Sequence, residues 1–137
     1  MISPFWDKTL TIYTKIYDSA NKKTSWYRYM CDNCFYGLKD VNVLKGTDIA
    51  RENIHIARIP YNESYMSYRD WCSCTQKEKH LSITIGSIIV YGSVLDVISD
   101  NSSGNDLIKK YSDKCFKVSI FKENDTFAIK HYYAGGD

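Results

Sequence analysis

The stretch TLTIYTKIYDSANKKTSWYRYMCDNCFYG, residues 9–37, decides how this chain reads. Leu10, Ile12, Thr14 and Ile16 alternate with Thr9, Thr11, Tyr13 and Lys15, the period of two of a strand with one buried face and one wet face. The polar run at 18–23 supplies a turn. Trp26, Tyr27, Tyr29, Phe35 and Tyr36 then continue in residue types that favour strands. The exposed face of these strands carries rings instead of acids, bases or nucleophiles, which points to a protein that binds surfaces.

A length of 137 residues suits one domain, 1–137, able to bury a core without metal or disulfide staples. Eighteen basic and sixteen acidic residues leave a net charge of +2, without the clustered basicity that a dedicated nucleic-acid binder uses against phosphates. The opening MISPFWDKTL has neither a basic leader nor an apolar run, and no segment approaches the roughly 20 apolar residues of a membrane span, so a soluble intracellular product is expected.

Residues 40–52 read as a polar connection, with Val41, Val43 and Leu44 able to form a short edge strand. Residues 53–59 alternate again, and Pro60, lacking an amide donor, ends that strand. Residues 60–80 hold neither period and interleave aromatic with charged side chains, which predicts a long functional loop. Residues 81–85 lead to Gly86, and the β-branched runs 87–91 and 94–98 are expected to pair across a turn at Gly92 and Ser93. A short helix capped by Ser103 or Asn105 runs through Tyr111, followed by a hairpin of 115–121 and 126–133 and a flexible tail, 134–137. The expected fold is mostly β: a small antiparallel barrel or sandwich of about seven to nine strands, with long loops and one short helix.

Chemistry-bearing patterns are sparse. The five cysteines, an odd number, are expected as reduced thiols. Cys31, Cys34, Cys72 and Cys74 offer four possible zinc ligands, but C-x-C is a poor chelate spacing, and a core role for the CDNC pair is the preferred reading. His55, His80 and His131 lie in separate elements, Cys72 or Cys74 with His80 lacks a nucleophile turn, and no phosphate-cradling glycine loop is present. No catalytic residue, cofactor or enzymatic activity is expected. Tyrosine and tryptophan join apolar area to a hydrogen-bonding tip and concentrate at interfaces. The loop set Tyr61, Tyr65, Met66, Tyr68 and Trp71 is therefore the main interface candidate, and Trp26, Tyr27 and Tyr29 are either sheet-packing or interface residues.

The opening hairpin, taken with the later ITIGSIIVYGSVLDVI, resembles the head-closure, or head-tail connector, proteins of tailed bacteriophages. The resemblance implies a structural virion protein at the neck, whose copies form a homo-oligomeric ring joining portal or adaptor to the tail proteins. It implies a small β-barrel whose long loop, here 60–80, reaches toward a channel through which double-stranded DNA passes without specific binding. A ring needs a heterologous interface between unlike patches. Two other readings compete. In an oligonucleotide-binding barrel, Trp26, Tyr27 and Tyr29 would stack single-stranded bases beside Lys15, Lys22, Lys23 and Arg28. In a zinc-stapled adaptor domain, the cysteine quartet would carry the fold.

Overall fold

Strand β1 (Lys8–Asp18) is buried on both faces from Leu10 to Thr14, which corrects the expectation of one wet face. The alternation itself is sound, because Leu10 and Ile12 enter one hydrophobic core and Tyr13 enters a second on the opposite side of the sheet. Thr11 and Tyr13 are polar, so burial requires partners for their hydroxyls. Thr11 Oγ1 donates to the Gly92 carbonyl (2.7 Å) and accepts from the Val94 amide (3.0 Å), while the Tyr13 hydroxyl donates to the Asp96 carbonyl (2.7 Å). The face that composition suggests is wet is thus covered by residues 92–98 of the same chain.

The computed structural model describes residues 6–125 and 130–137, and for 40–45 and 48–53 the backbone path. Six further strands follow: β2 (Lys23–Lys45), β3 (Asp48–Pro60), β4 (Ile88–Tyr91), β5 (Cys115–Lys117), β6 (Ile120–Asn124) and β7 (His131–Gly136). All pairings are antiparallel, in the order β5-β4-β1-β2-β3-β7-β6. The fold is mostly β, as the residue pattern predicts. Two short helices, α1 (Tyr68–Cys72) and α2 (Asn105–Lys110), are present where one was expected; α2 is the anticipated one, its N-cap being Gly104 with no side-chain cap.

Strand β2 is the corner of the sheet. Its first half, to Cys34, pairs with β1, and from Phe35 onward it pairs with β3. The register slips between Lys8↔Cys34 and Leu10↔Cys31, and Asn33 takes a φ of 60°, a left-handed conformation that asparagine tolerates. An extra residue in one strand bends it and increases its twist. The CDNC motif is thus a β-bulge, with Cys31 and Cys34 pointing into the core and Asp32 and Asn33 into solvent.

The strand order shows that the sheet must curl. Flat, seven strands would span about 29 Å at about 4.8 Å per spacing. Yet β5 and β6, at opposite ends of the order, are separated in sequence only by Val118 and Ser119, and the three Cα steps from Lys117 to Ile120 reach at most about 11 Å. The two outer edges therefore approach each other. Ser119 N–H donates to the Gly135 carbonyl (2.9 Å), and Val118 N–H to that of Ser87 (2.7 Å). Inside the curl, Leu10, Ile12, Ile89 and Phe116 from one half meet Ala57, Ile59, Tyr132 and Ala134 from the other. Outside it, Val94, Ile98 and Leu107 pack on Tyr13, Ile88 and Val90.

Three further expectations are corrected. Residues 40–52 are no mere connection: β2 and β3 continue as a paired hairpin to Lys45↔Asp48, turning at Gly46 and Thr47. Residues 94–98 do not pair with β4. Gly92, at a φ of 103°, donates to the Thr9 carbonyl and turns the chain across the sheet face, so that alternation persists without a ladder. Residues 134–136 are no tail: Ala134, Gly135 and Gly136 are buried in β7 and pair with Ala57, Ile56 and His55. A C-terminal hairpin is present as β6 and β7, but residues 122–124, expected with Asp125 as its turn, lie in β6 opposite Tyr133, Tyr132 and His131, and β5 pairs with β4; residues 126–129 of the expected return lie outside the described residues.

Candidate interaction surface

The aromatic loop after Pro60 was expected to present its rings to a partner, and its local hydrogen bonds show what it does instead. Tyr61 N–H donates to the Lys130 carbonyl, and Asn62 Oδ1 accepts from Ser64 N–H (2.8 Å), an Asx turn that reverses the chain. Met66 N–H donates to the Leu81 carbonyl (2.8 Å) beside a Tyr65↔Leu81 bridge, which joins the two ends of the loop. Ser67 Oγ then caps α1 by accepting from Asp70 N–H.

Within this frame Trp71 is 1 % exposed. Its Nε1 donates to the Lys77 carbonyl (3.2 Å), Tyr27 meets it edge-on at 5.5 Å, and Tyr68 stacks on it at 5.8 Å while donating to the Lys15 carbonyl. Tyr65 stacks on Tyr132 at 4.1 Å, and Tyr61 does so at 4.7 Å. The expectation that Trp71 and Tyr65 face a partner is therefore revised. Trp71 pins the loop to the sheet, Tyr65 closes the mouth of the inner core, Met66 is half-buried, and only Tyr61 of the set is exposed. Burial pushes the phenols of Tyr65 and Tyr68 up to about 12, with Glu123 adding to the first and a hydrogen bond to Cys72 to the second, so both remain donors at neutral pH.

The second ring set divides between the two faces of β2. Tyr27 and Tyr29 pair with Thr14 and Ile12 and lie on the inner side, where the Tyr29 hydroxyl pairs with Ser64 Oγ (2.6 Å). Trp26, offset by one residue, lies on the outer side against the second core, its Nε1 donating to the Ser102 carbonyl (2.8 Å). The three rings thus form no common stacking platform, the requirement of the oligonucleotide-binding reading. Of its cations, Lys15 lies over the Trp26 ring (5.6 Å) and Lys23 pairs with Asp100 (2.9 Å).

The cysteines also separate. Cys31 and Cys34 are buried in the inner core, where a mutual hydrogen bond and then burial raise the Cys31 thiol far above its ordinary range, whereas Cys72 and Cys74 lie at the end of α1. Among the described residues no group of three or more His, Cys, Asp or Glu side chains is placed to hold a metal. The histidines knit strands together. His131, 1 % exposed, accepts at Nε2 from Arg58 (2.8 Å), since a guanidinium can only donate, and Asn124 reaches the same nitrogen (3.1 Å). His80 Nδ1 lies 3.1 Å from the Ser64 carbonyl.

His55 pairs with the Tyr36 hydroxyl at Nδ1 (2.6 Å) and stacks on Phe116 at 5.8 Å. Burial lowers its pKa, opposed by the carboxylates of Asp113 and Asp137. Below the unfolded value of about 6.5 the unfolded chain takes up a proton that the native ring resists, so stability falls as pH falls through that range. A melting temperature that declines between pH 7 and pH 5 is expected. The slope should flatten in His55→Asn, whose side chain can still pair with Tyr36; an unchanged slope would assign the effect to other groups.

What the sequence reading missed is on the outside of the sheet. Leu95 (72 % exposed) and Val97 (84 %) project from the covering segment, and Ile120 is exposed on β6. The signal for Leu95 and Val97 was present in the alternation of VLDVI at 94–98, which assigns two apolar residues to each face.

A family model now joins these observations. It matches residues 5–137 and is described as a family of unknown function, DUF6751. The chain belongs to DUF6751. Neither a curated protein nor a solved structure matches it. For this DUF6751 chain the functional argument therefore rests on geometry: loop rings turned inward, and strand edges and apolar side chains turned outward.

Proposed function

We propose that this DUF6751 chain is a structural protein of the head-closure type, assembling as a ring at the head-tail interface of a tailed phage. The observation that carries the reading is the extension of the β2–β3 hairpin. Among the described residues, 40–53 pair only with each other, since β1 leaves β2 at Cys34 and β7 covers β3 only from His55. A lone two-stranded ribbon is marginal in water, and its open edges are the surfaces on which another chain adds strands. Such an arm suits a subunit that grips a neighbour. The near-neutral charge suits a channel wall that lets DNA slide, because affinity for DNA grows with each phosphate neutralised.

The test is to mix purified protein with candidate portal and tail proteins and image the products. Rings seated on the portal are expected. Absence of any complex with portal or tail partners would sink the proposal, and tight, steeply salt-dependent binding of a single-stranded oligonucleotide would favour the rival reading.

A further inference from the structure

The segment crossing the outer face, residues 94–99, is a strap with the properties of a strand that lacks a neighbour. It is extended in side-chain alternation: Val94 and Ile98 are buried in the outer core, and Leu95 and Val97 face solvent. Its inward groups are satisfied, with the Val94 carbonyl accepting from Arg28 and the Asp96 carbonyl from Tyr13. Among the described residues, the amides of Leu95, Val97 and Ile98 donate to no protein acceptor. A groove of about 170 Å³ runs beside the strap toward α2, lined by Val97, Ser99, Ser102, Asp106 and Lys110 among others. Asp96 is already engaged by Lys110 (2.7 Å) and Tyr111 (2.8 Å), whereas Asp106 has no ion-pair partner among the described residues.

The complementary element is on the same chain. Strand β6 is the last in the sheet order, and among the described residues no strand pairs with its outer edge. The other terminal strand, β5, is obstructed, because the Lys117 backbone abuts Gly136 of β7. On β6, Phe121 turns toward the inner core, while Ile120 and Lys122 project outward together, one exposed apolar side chain followed by one cation. That pair matches the apolar Leu95 and Val97 and the unpaired Asp106 carboxylate at the strap.

We propose that the free edge of β6 in one copy adds as a strand to the strap of a second copy, Ile120 covering Leu95 and Val97 and Lys122 meeting Asp106. The two surfaces are unlike, so the contact is head-to-tail and closes a ring when the rotation per subunit allows. The inference rests on the ring reading above and names its interface.

Sedimentation of the full chain tests it with Val97→Glu and Ile120→Glu, both at exposed sites outside the cores, so the folds should melt as wild type. Wild type is expected to form concentration-dependent oligomers. Each variant alone should associate at least tenfold more weakly, and an equimolar mixture should stop at dimers, because one intact strap then meets one intact β6. Should Val97→Glu melt early, Leu95→Arg takes its place. If the strap variants assemble like wild type, this contact is wrong while the ring reading stands. A wild-type chain that remains monomeric at all concentrations overturns both. A mixture without dimers overturns the head-to-tail pairing, and a strap variant that loses only portal or tail binding assigns the strap to that partner and overturns the self-contact.

Discussion

Gly136→Ala should cost about 3 kcal/mol or more and Gly136→Val should leave the chain unfolded. Overpacking a filled site commonly costs about 1–3 kcal/mol, more where the obstruction is backbone. A Cβ at Gly136 would run into the Lys117 carbonyl and stand 2.9 Å from Phe116 Cδ2, where the curled sheet brings β7 against β5. Neither obstacle can swing aside, since Phe116 is fully buried and Lys117 is held in its ladder with Ile88. Deletion of 134–137 should be as damaging, because it removes the pairs with Ala57, Ile56 and His55. Urea unfolding measures both. A midpoint within error of wild type for Gly136→Ala would mean that Gly136 is not seated against β5.

The second large effect is expected at Trp71. Truncation of a buried tryptophan to alanine removes about 3–5 kcal/mol. Here it also deprives Tyr27 and Tyr68 of their ring contacts and the Lys77 carbonyl of its donor. Trp71→Ala should therefore melt well below wild type, with increased proteolytic cleavage in 61–80 as the loop detaches. Tyr61→Ala, at the exposed end of the same loop, should change stability by less than about 1 kcal/mol. Equal, small effects at both positions, combined with weakened assembly at Trp71, would restore the loop as an interface.

The contrast between these residues shows how far the sequence could be read. Strand positions were legible wherever alternation was regular, as in 9–16 and 53–59, because side-chain period is local. The partner of each strand was less so. Residues 94–98 alternate as a strand does, but Gly92 sends them across the sheet face, and period alone does not distinguish a ladder from a strap. Residues 134–137, AGGD, have the composition of a tail, yet 134–136 lie in β7, and at Gly136 the neighbouring strand leaves no room for a side chain. Composition records the small residue and not the obstacle.

The candidate site divided along the same line. That the chain is rich in rings was visible in twelve tyrosines and three tryptophans. Which rings face inward depends on contacts between residues far apart in sequence, such as Tyr29 with Ser64 and Trp26 with Ser102, and no local pattern encodes those. The CDNC motif is similar: its spacing suits a metal, but the register slip between β1 and β2 makes it the bend that lets one long strand serve both halves of the sheet.

Native mass spectrometry of the purified protein, with images of the same sample, tests the proposed ring-forming role. A closed oligomer of one defined mass, seen as rings with a central opening, is expected. A concentration-independent monomer, or a two-fold dimer without an opening, would contradict it.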